Sequence, residues 1–143
     1  MPRPANALIV DDEPHVLVLL KGILKQLGIE TVWEALDGTE ALSKASVNKP
    51  DVVLLDINLP EVNGLQVLAQ LKADHPKMPV IIVSSQGTIK TFDRARELGA
   101  AGYVLKFAPK IEILRMLSEV FDEIAAPPVK QAAEGGEAPP KES

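Results

Sequence analysis

Short apolar runs and longer runs of helical periodicity alternate along most of this chain. Ala7-Leu8-Ile9-Val10 is too short for a helix and is closed by the acids Asp11-Asp12-Glu13. Pro14 then suits the first turn of a helix, whose positive end favours those acids. Val16, Leu20, Ile23, Leu24 and Leu27 share one helical face, and Gly28 stops the stripe. The alternation then repeats. Glu30–Ala35 reads as a strand, and Asp37-Gly38 turns into a helix carrying Ala41, Leu42 and Ala45. Val52–Leu55 is a third strand, and Gly64 opens a helix with Leu65, Leu68 and Leu71 on one face. Met78–Val83 is a fourth strand, and a helix begun at Thr88 directs Ile89, Phe92, Ala95 and Leu98 inward before ending at Gly99. Gly102–Leu105 is the fifth strand. The last helix, roughly 110–124, sets Ile113, Leu114, Leu117, Val120, Phe121 and Ile124 in register.

The strands are continuous apolar runs rather than alternating ones, which burial on both faces requires. Five such units with short connections therefore predict an α/β domain, a parallel sheet with helices on both faces. Right-handed crossovers leave few topologies, and the doubly wound, flavodoxin-like order 2-1-3-4-5 is the one expected. Trp33 reads as packing at the edge of the second strand. From Pro127 onward Pro, Ala, Gly, Glu and Lys dominate, and such a segment buries too little surface to offset its ordering entropy. The expected organisation is an N-terminal extension over 1–6, one domain over 7–126, and a disordered tail or linker stub over 127–143.

Composition narrows the function classes. A chain of 143 residues, 46% hydrophobic and 24% charged, has room for one globular core and not two. The formal charge of −5 supplies no basic field for nucleic acid or an anionic membrane surface. There is no Cys, hence no disulfide framework or thiolate metal site. Met1–Asn6 lacks an apolar leader core, and no run approaches the ~18 apolar residues of a membrane span. A cytoplasmic location without membrane insertion is expected.

In an open α/β sheet, ligands bind outside the carboxyl ends of the strands. Strand 1 ends in Asp11-Asp12, strand 3 in Asp56, strand 4 in Ser84-Ser85 and strand 5 in Lys106. Two unit charges ~4 Å apart repel by about 4 kcal/mol at an effective dielectric near 20, so three carboxylates together need a counter-ion. An all-oxygen site with open positions suits Mg²⁺. His15, inside helix 1, and His75, in a loop, offer no zinc set beside these acids. Any one of the acids alone reads equally as a helix N-cap; the ordered set does not.

That set resembles the receiver domain of two-component response regulators, particularly the single-domain chemotaxis type, over roughly residues 6–125. The matching elements are Asp11-Asp12, "LLDINLP" with Gly64, "VIIVSS" ending at Ser84, and "GYVLK" ending at Lys106. The resemblance implies that Asp56 is the phospho-acceptor, phosphorylated by a sensor histidine kinase, a phosphotransfer protein or a small phosphodonor. It implies that Asp12 and Asp56 bind Mg²⁺, with Asp11 close by and the Asn58 backbone carbonyl as a further ligand. Ser84, Lys106 and a backbone N–H near Ser85 would contact the phosphoryl oxygens, and Tyr103 would be the switch aromatic that turns inward. Asn58 and Gln86 fall at positions that tune phosphoryl lifetime. Ile89, Lys90, Arg94 and Tyr103 fall on the usual output face, where a solvated surface is the plainer reading of Lys90 and Arg94. An output protein is implied as partner, and a phosphorylation-dependent dimer through this face stays open.

One departure stands out. The family usually follows its Lys with Pro, whereas Phe107 follows Lys106 and Pro comes at Pro109. A cis non-proline bond costs ~2.5–4 kcal/mol, so Lys106–Phe107 is expected to be trans, which puts the reach of Lys106 in question. Two other readings compete with the phospho-switch. Phosphatases of the haloacid dehalogenase type also combine an Asp nucleophile, Mg²⁺, a Ser/Thr and a Lys, but carry the nucleophile on the first strand with another acid two residues later. Here the acid pair precedes Asp56 by about 45 residues and the second position after it is Asn58. A receiver used as an unphosphorylated scaffold is the third reading, and the missing Pro is what favours it.

Overall fold

A computed structural model describes residues 3–59, 62–85 and 88–125. Gln86 and the expected tail at 127–143 lie outside the described residues. The chain alternates strand and helix throughout: β1 (Asn6–Val10), α1 (Pro14–Gln26), β2 (Thr31–Ala35), α2 (Gly38–Asn48), β3 (Val52–Asp56), α3 (Gly64–Asp74), β4 (Val80–Ser84), α4 (Ile89–Glu97), β5 (Gly102–Leu105) and α5 (Lys110–Ala125). All strand pairs are parallel, and the order is β2-β1-β3-β4-β5, as the patterning requires.

Successive strand side chains point to opposite faces, and this splits the core in two. Ala7, Ile9, Val52, Leu54, Ile81, Val83 and Val104 face α1 and α5, where Leu20, Ile23, Leu24, Ile113, Leu117 and Phe121 meet them. Leu8, Val10, Val53, Leu55, Val80 and Ile82 face the other side, against Ala41, Ala45, Val67, Leu68, Leu71 and Ala95. Fully burying one Leu, Ile or Phe contributes about 1.5–3 kcal/mol, so both layers anchor the central strands firmly. Trp33 is half-buried and packs against the second layer, in keeping with its edge-strand reading.

Local signals hold the ends of the helices. Asp37 caps α2 by accepting from the Glu40 N–H at 2.8 Å, while the Glu40 carboxylate accepts from Leu36 N–H at 2.7 Å. Gly28 and Gly99 follow α1 and α4 at φ +96° and +100°, a region in which a Cβ is strained.

Helix α4 departs from expectation. Ile89 is 80% exposed and Phe92 43% exposed, whereas both were placed inward by periodicity. Ala95 is the buried residue of this helix, and Leu98 just past its end packs partly against the core. The apolar stripe has the right spacing, but in the N-terminal half of α4 Ile89 stays exposed and Phe92 meets the sheet only at its edge, on the Tyr103 ring of β5. The two rings stack with centroids 4.3 Å apart. Beside them lies a cavity of about 180 Å³ lined by Phe92, Ala95, Arg96, Ala100, Gly102 and Tyr103.

Candidate functional site

Parallel strands end at the same edge, so the residues that terminate β1, β3, β4 and β5 meet. Asp11 directly follows β1, its N–H donating to the Ala35 carbonyl at 3.0 Å, and Asp56 is the last residue of β3. Both carboxylates are buried, at 1% exposure each. Each spends one oxygen on its own loop: Asp11 Oδ1 accepts from Glu13 N–H at 2.9 Å and Asp56 Oδ1 from Asn58 N–H at 3.0 Å. These short loops fix both groups before any ligand arrives.

The other oxygens face Lys106, which follows β5 and whose backbone N–H donates to the Ser84 carbonyl at 2.7 Å. Its Nζ lies 3.0 Å from Asp56 Oδ2 and 3.0 Å from Asp11 Oδ2. Described peptide bonds are all trans, Lys106–Phe107 included, and Lys106 reaches the carboxylates across the loop. Asp11 Oδ2 sits at ion-pair distance but outside hydrogen-bond alignment, so it is a buried oxygen without a hydrogen-bond partner among the described residues.

Burial pushes the Asp56 carboxyl above its usual range; the hydrogen bonds from Lys106 and Asn58 N–H oppose this, and the Asp11 charge adds to it. Burial also works against the Lys106 ammonium, but the carboxylates of Asp11, Asp56 and Glu13 outweigh it and hold its pKa above the usual lysine value. Lys106 therefore stays charged wherever the protein is folded at ordinary pH.

Asp11, Asp12 and Asp56 can each bring one oxygen within 4.8 Å of the others, with Asp12 exposed at the mouth. The unpartnered Asp11 oxygen, the exposed Asp12 carboxylate and the all-oxygen donor set fit a hard divalent cation such as Mg²⁺. His15 is exposed on α1 and His75 caps the C-terminus of α3.

The loop after β3 is shaped by close backbone approach. Asn58 bridges to Asn63, and Gly64 N–H donates to the Ile57 carbonyl at 2.7 Å. A Cβ on Gly64 would lie 2.4 Å from the Asp56 carbonyl oxygen and from Ile57 Cα, so only glycine fits beneath the candidate acceptor. Ser84 ends β4 fully buried, while Ser85 is exposed. Tyr103 is buried on β5, and Lys90 and Arg94 are exposed on α4. Thus Asp11, Asp12, Asp56 and Lys106 are brought together, with Ser84 beside them at the same strand edge. Ile89, Lys90, Arg94 and Tyr103 lie on or under α4.

Sequence reasoning overlooked Glu13. Its Oε1 lies 3.1 Å from Lys106 Nζ, so it belongs to the same charge cluster. The signal was present as the third acid of the Asp11-Asp12-Glu13 run, read as closing the strand and favouring the start of the helix.

An open parallel α/β sheet with an acidic, lysine-bridged pocket at its carboxyl edge places its candidate site where ligands bind in this class of fold, and the acids there could hold a metal ion. Comparison with known proteins narrows the class. The sequence profile of the response regulator receiver domain matches residues 7–118, and the chain belongs to that family. It is 40% identical over 99 residues to the chemotaxis protein CheY of Listeria monocytogenes, covering 69% of this chain and 83% of the relative. It is 36% identical over 125 residues to the alkaline phosphatase synthesis transcriptional regulatory protein PhoP of Bacillus subtilis, covering 84% of this chain and 50% of that protein. Among solved structures, the CheX–CheY–BeF3–Mg²⁺ complex from Borrelia burgdorferi superposes with a TM-score of 0.77 at 28% identity, covering 83% of this chain and 90% of that one.

Proposed function

We propose that this receiver domain accepts a phosphoryl group on Asp56 in the presence of Mg²⁺ and, once phosphorylated, changes its affinity for a partner protein. The observation that carries the reading is the approach of Lys106 to Asp56 at 3.0 Å, with two further carboxylates, Asp11 and Glu13, on the same ammonium. An Asp56 oxygen attacks phosphorus of the donor. The P–O bond to the leaving group breaks, and its electron pair departs with that group, acetate in the case of acetyl phosphate. Charge spreads over the transferring oxygens, so positioning and cationic groups are what the protein must provide. Lys106 supplies a fixed positive charge, and the Asn58 N–H holds the second carboxylate oxygen of Asp56 in place. Asp11, Asp12 and Asp56, with the Asn58 carbonyl, would hold Mg²⁺, which when bound neutralises part of the charge on phosphate oxygens.

The switch runs through Ser84 and Tyr103. Shifting a two-state equilibrium from 1:99 to 99:1 takes about 5.5 kcal/mol. Charged hydrogen bonds are worth about 1.5–3 kcal/mol each, so new bonds from Ser84, Lys106 and the Ser85 N–H to a phosphoryl group are of that size. Tyr103 links β5 to the exposed α4 face through Phe92, which supports that face, with Ile89, Lys90 and Arg94, as the output surface. Phosphoryl groups would arrive from a sensor histidine kinase or phosphotransfer protein, as befits two-component signalling. The Borrelia relative solved with CheX, beryllium fluoride and Mg²⁺ supports both the metal and the use of protein partners. A cytoplasmic location fits such partners, and no described helix is long and apolar enough to cross a membrane.

The test is intact mass after incubation with acetyl phosphate and Mg²⁺. The wild type should gain one phosphoryl group, while Asp56→Asn and the metal-free wild type should gain none. A folded wild type that never gains it would remove the phospho-acceptor reading and bring the scaffold reading forward.

A further inference from the structure

Lys106 is ringed by acids before any phosphoryl group arrives. Its ammonium offers three protons. Three carboxylate oxygens already surround Nζ, those of Asp11 and Asp56 at 3.0 Å and of Glu13 at 3.1 Å. The hydrogen bonds of Lys106 run to Asp56 and Glu13, so a phosphoryl oxygen competes with these acids for the ammonium. Asp11 is a poor candidate, because it is buried and tethered by a backbone N–H of its own loop, and Asp56 is the residue that carries the phosphoryl group. The Glu13 side chain is 41% exposed, and its contact with Lys106 is the one hydrogen bond it makes among the described residues.

We propose that Glu13 is an exchangeable partner of Lys106, holding the ammonium in the unphosphorylated protein and yielding its place to a phosphoryl oxygen on Asp56. This rests on the phospho-acceptor reading above and assigns a positioning residue to it. Like charges drive the exchange: an arriving phosphoryl group adds negative charge beside the Glu13 carboxylate and repels it. The backbone allows it. Glu13 caps α1 through its carbonyl, which accepts from Val16 N–H at 3.0 Å and Leu17 N–H at 3.2 Å, so its side chain can swing outward while the helix stays anchored. Substitutions of the side chain leave this cap intact.

The latch has a cost for ligand binding equal to the contact that must be broken. For a partly exposed ion pair that cost corresponds to about a two- to five-fold weakening. Titration calorimetry of beryllium fluoride, at saturating Mg²⁺, should compare wild type, Glu13→Gln and Glu13→Asp. Aspartate keeps the charge but is shorter by one carbon–carbon bond, about 1.5 Å, and loses contact with Lys106. Glu13→Gln and Glu13→Asp should both bind about two- to five-fold more tightly than wild type, since the first removes the charge and the second the reach that hold the ammonium. Tighter binding by Glu13→Gln alone, with Glu13→Asp matching wild type, would show a general charge effect and overturn the latch. Equal affinity in all three would overturn it as well. Absence of binding in all three would instead overturn the phospho-acceptor reading, and the exchange with it.

Discussion

Replacing Lys106 with methionine removes the one cation that lies among Asp11, Glu13 and Asp56 while keeping most of the side-chain volume. At 3.0 Å and an effective dielectric near 20, each ion contact is worth about 5 kcal/mol before desolvation is counted. Desolvation of the ammonium cancels much of that. Experience with buried pairs puts the loss of one partner at about 3–5 kcal/mol, because the remaining charge is left buried. Here two buried carboxylates are left facing each other within 4.8 Å, a repulsion of about 3.5 kcal/mol at the same dielectric. The pocket opens at the sheet edge beside the exposed Asp12, so water relieves part of this. We expect Lys106→Met to lose about 2–4 kcal/mol of stability at pH 7 without divalent metal.

The pH dependence carries a definite sign. Asp56 already titrates above its ordinary value through burial, and losing the Lys106 hydrogen bond removes a cause that lowers it. A carboxyl with a raised folded-state pKa contributes stability that is complete below its unfolded pKa and is lost as pH rises through the folded value. The deficit of Lys106→Met should therefore be large at pH 7 and shrink as pH falls through the carboxylate range. Mg²⁺ should shrink it too, since removing the competing ammonium lets the variant bind the ion more tightly, and each tenfold gain in affinity adds about 1.4 kcal/mol at saturating metal. Urea unfolding followed by circular dichroism, at pH 7 and pH 5, with chelator and with Mg²⁺, measures all three effects. A deficit below about 1 kcal/mol at pH 7, or one that grows on acidification, would refute the account of Lys106 as the counter-charge of buried carboxylates.

Other perturbations test neighbouring parts of the argument. Asp56→Asn should unfold at higher urea than wild type at pH 7, because burial already favours an uncharged group there; a lower midpoint would contradict the direction assigned to Asp56. Gly64→Ala drives a Cβ into the Asp56 carbonyl oxygen and Ile57 Cα, so the loop must shift, at a cost of about 1–3 kcal/mol in urea unfolding and with slower phosphorylation by acetyl phosphate. Phe92→Ala removes the ring stacked on Tyr103, and unfolding should show a loss of about 1 kcal/mol with a changed near-ultraviolet tyrosine signal.

Much of the fold was legible in the chain because its signals are local. Apolar runs such as Val52–Leu55, too short for helices, alternate with helical stripes, and right-handed crossovers then leave one natural strand order. The acids, hydroxyls and lysine at the strand ends were legible for the same reason: parallel strands deliver their last residues to one edge, so Asp11, Asp56, Ser84 and Lys106 must be neighbours. Tertiary structure alone decided how those groups share one another. Whether Lys106 reaches across a loop bearing Phe107, and that it binds Glu13 as well as the two buried aspartates, depends on distances no spacing encodes. The same holds for α4. Periodicity defines which side of a helix is apolar, but burial requires neighbours at the right distance, and at the sheet edge Phe92 finds one ring while Ile89 is left exposed. The sequence by itself thus determined the architecture and the membership of the site, because both follow from patterns within single elements. The charge partners, the exposed half of α4 and the backbone contact that demands Gly64 arise only where separate elements meet.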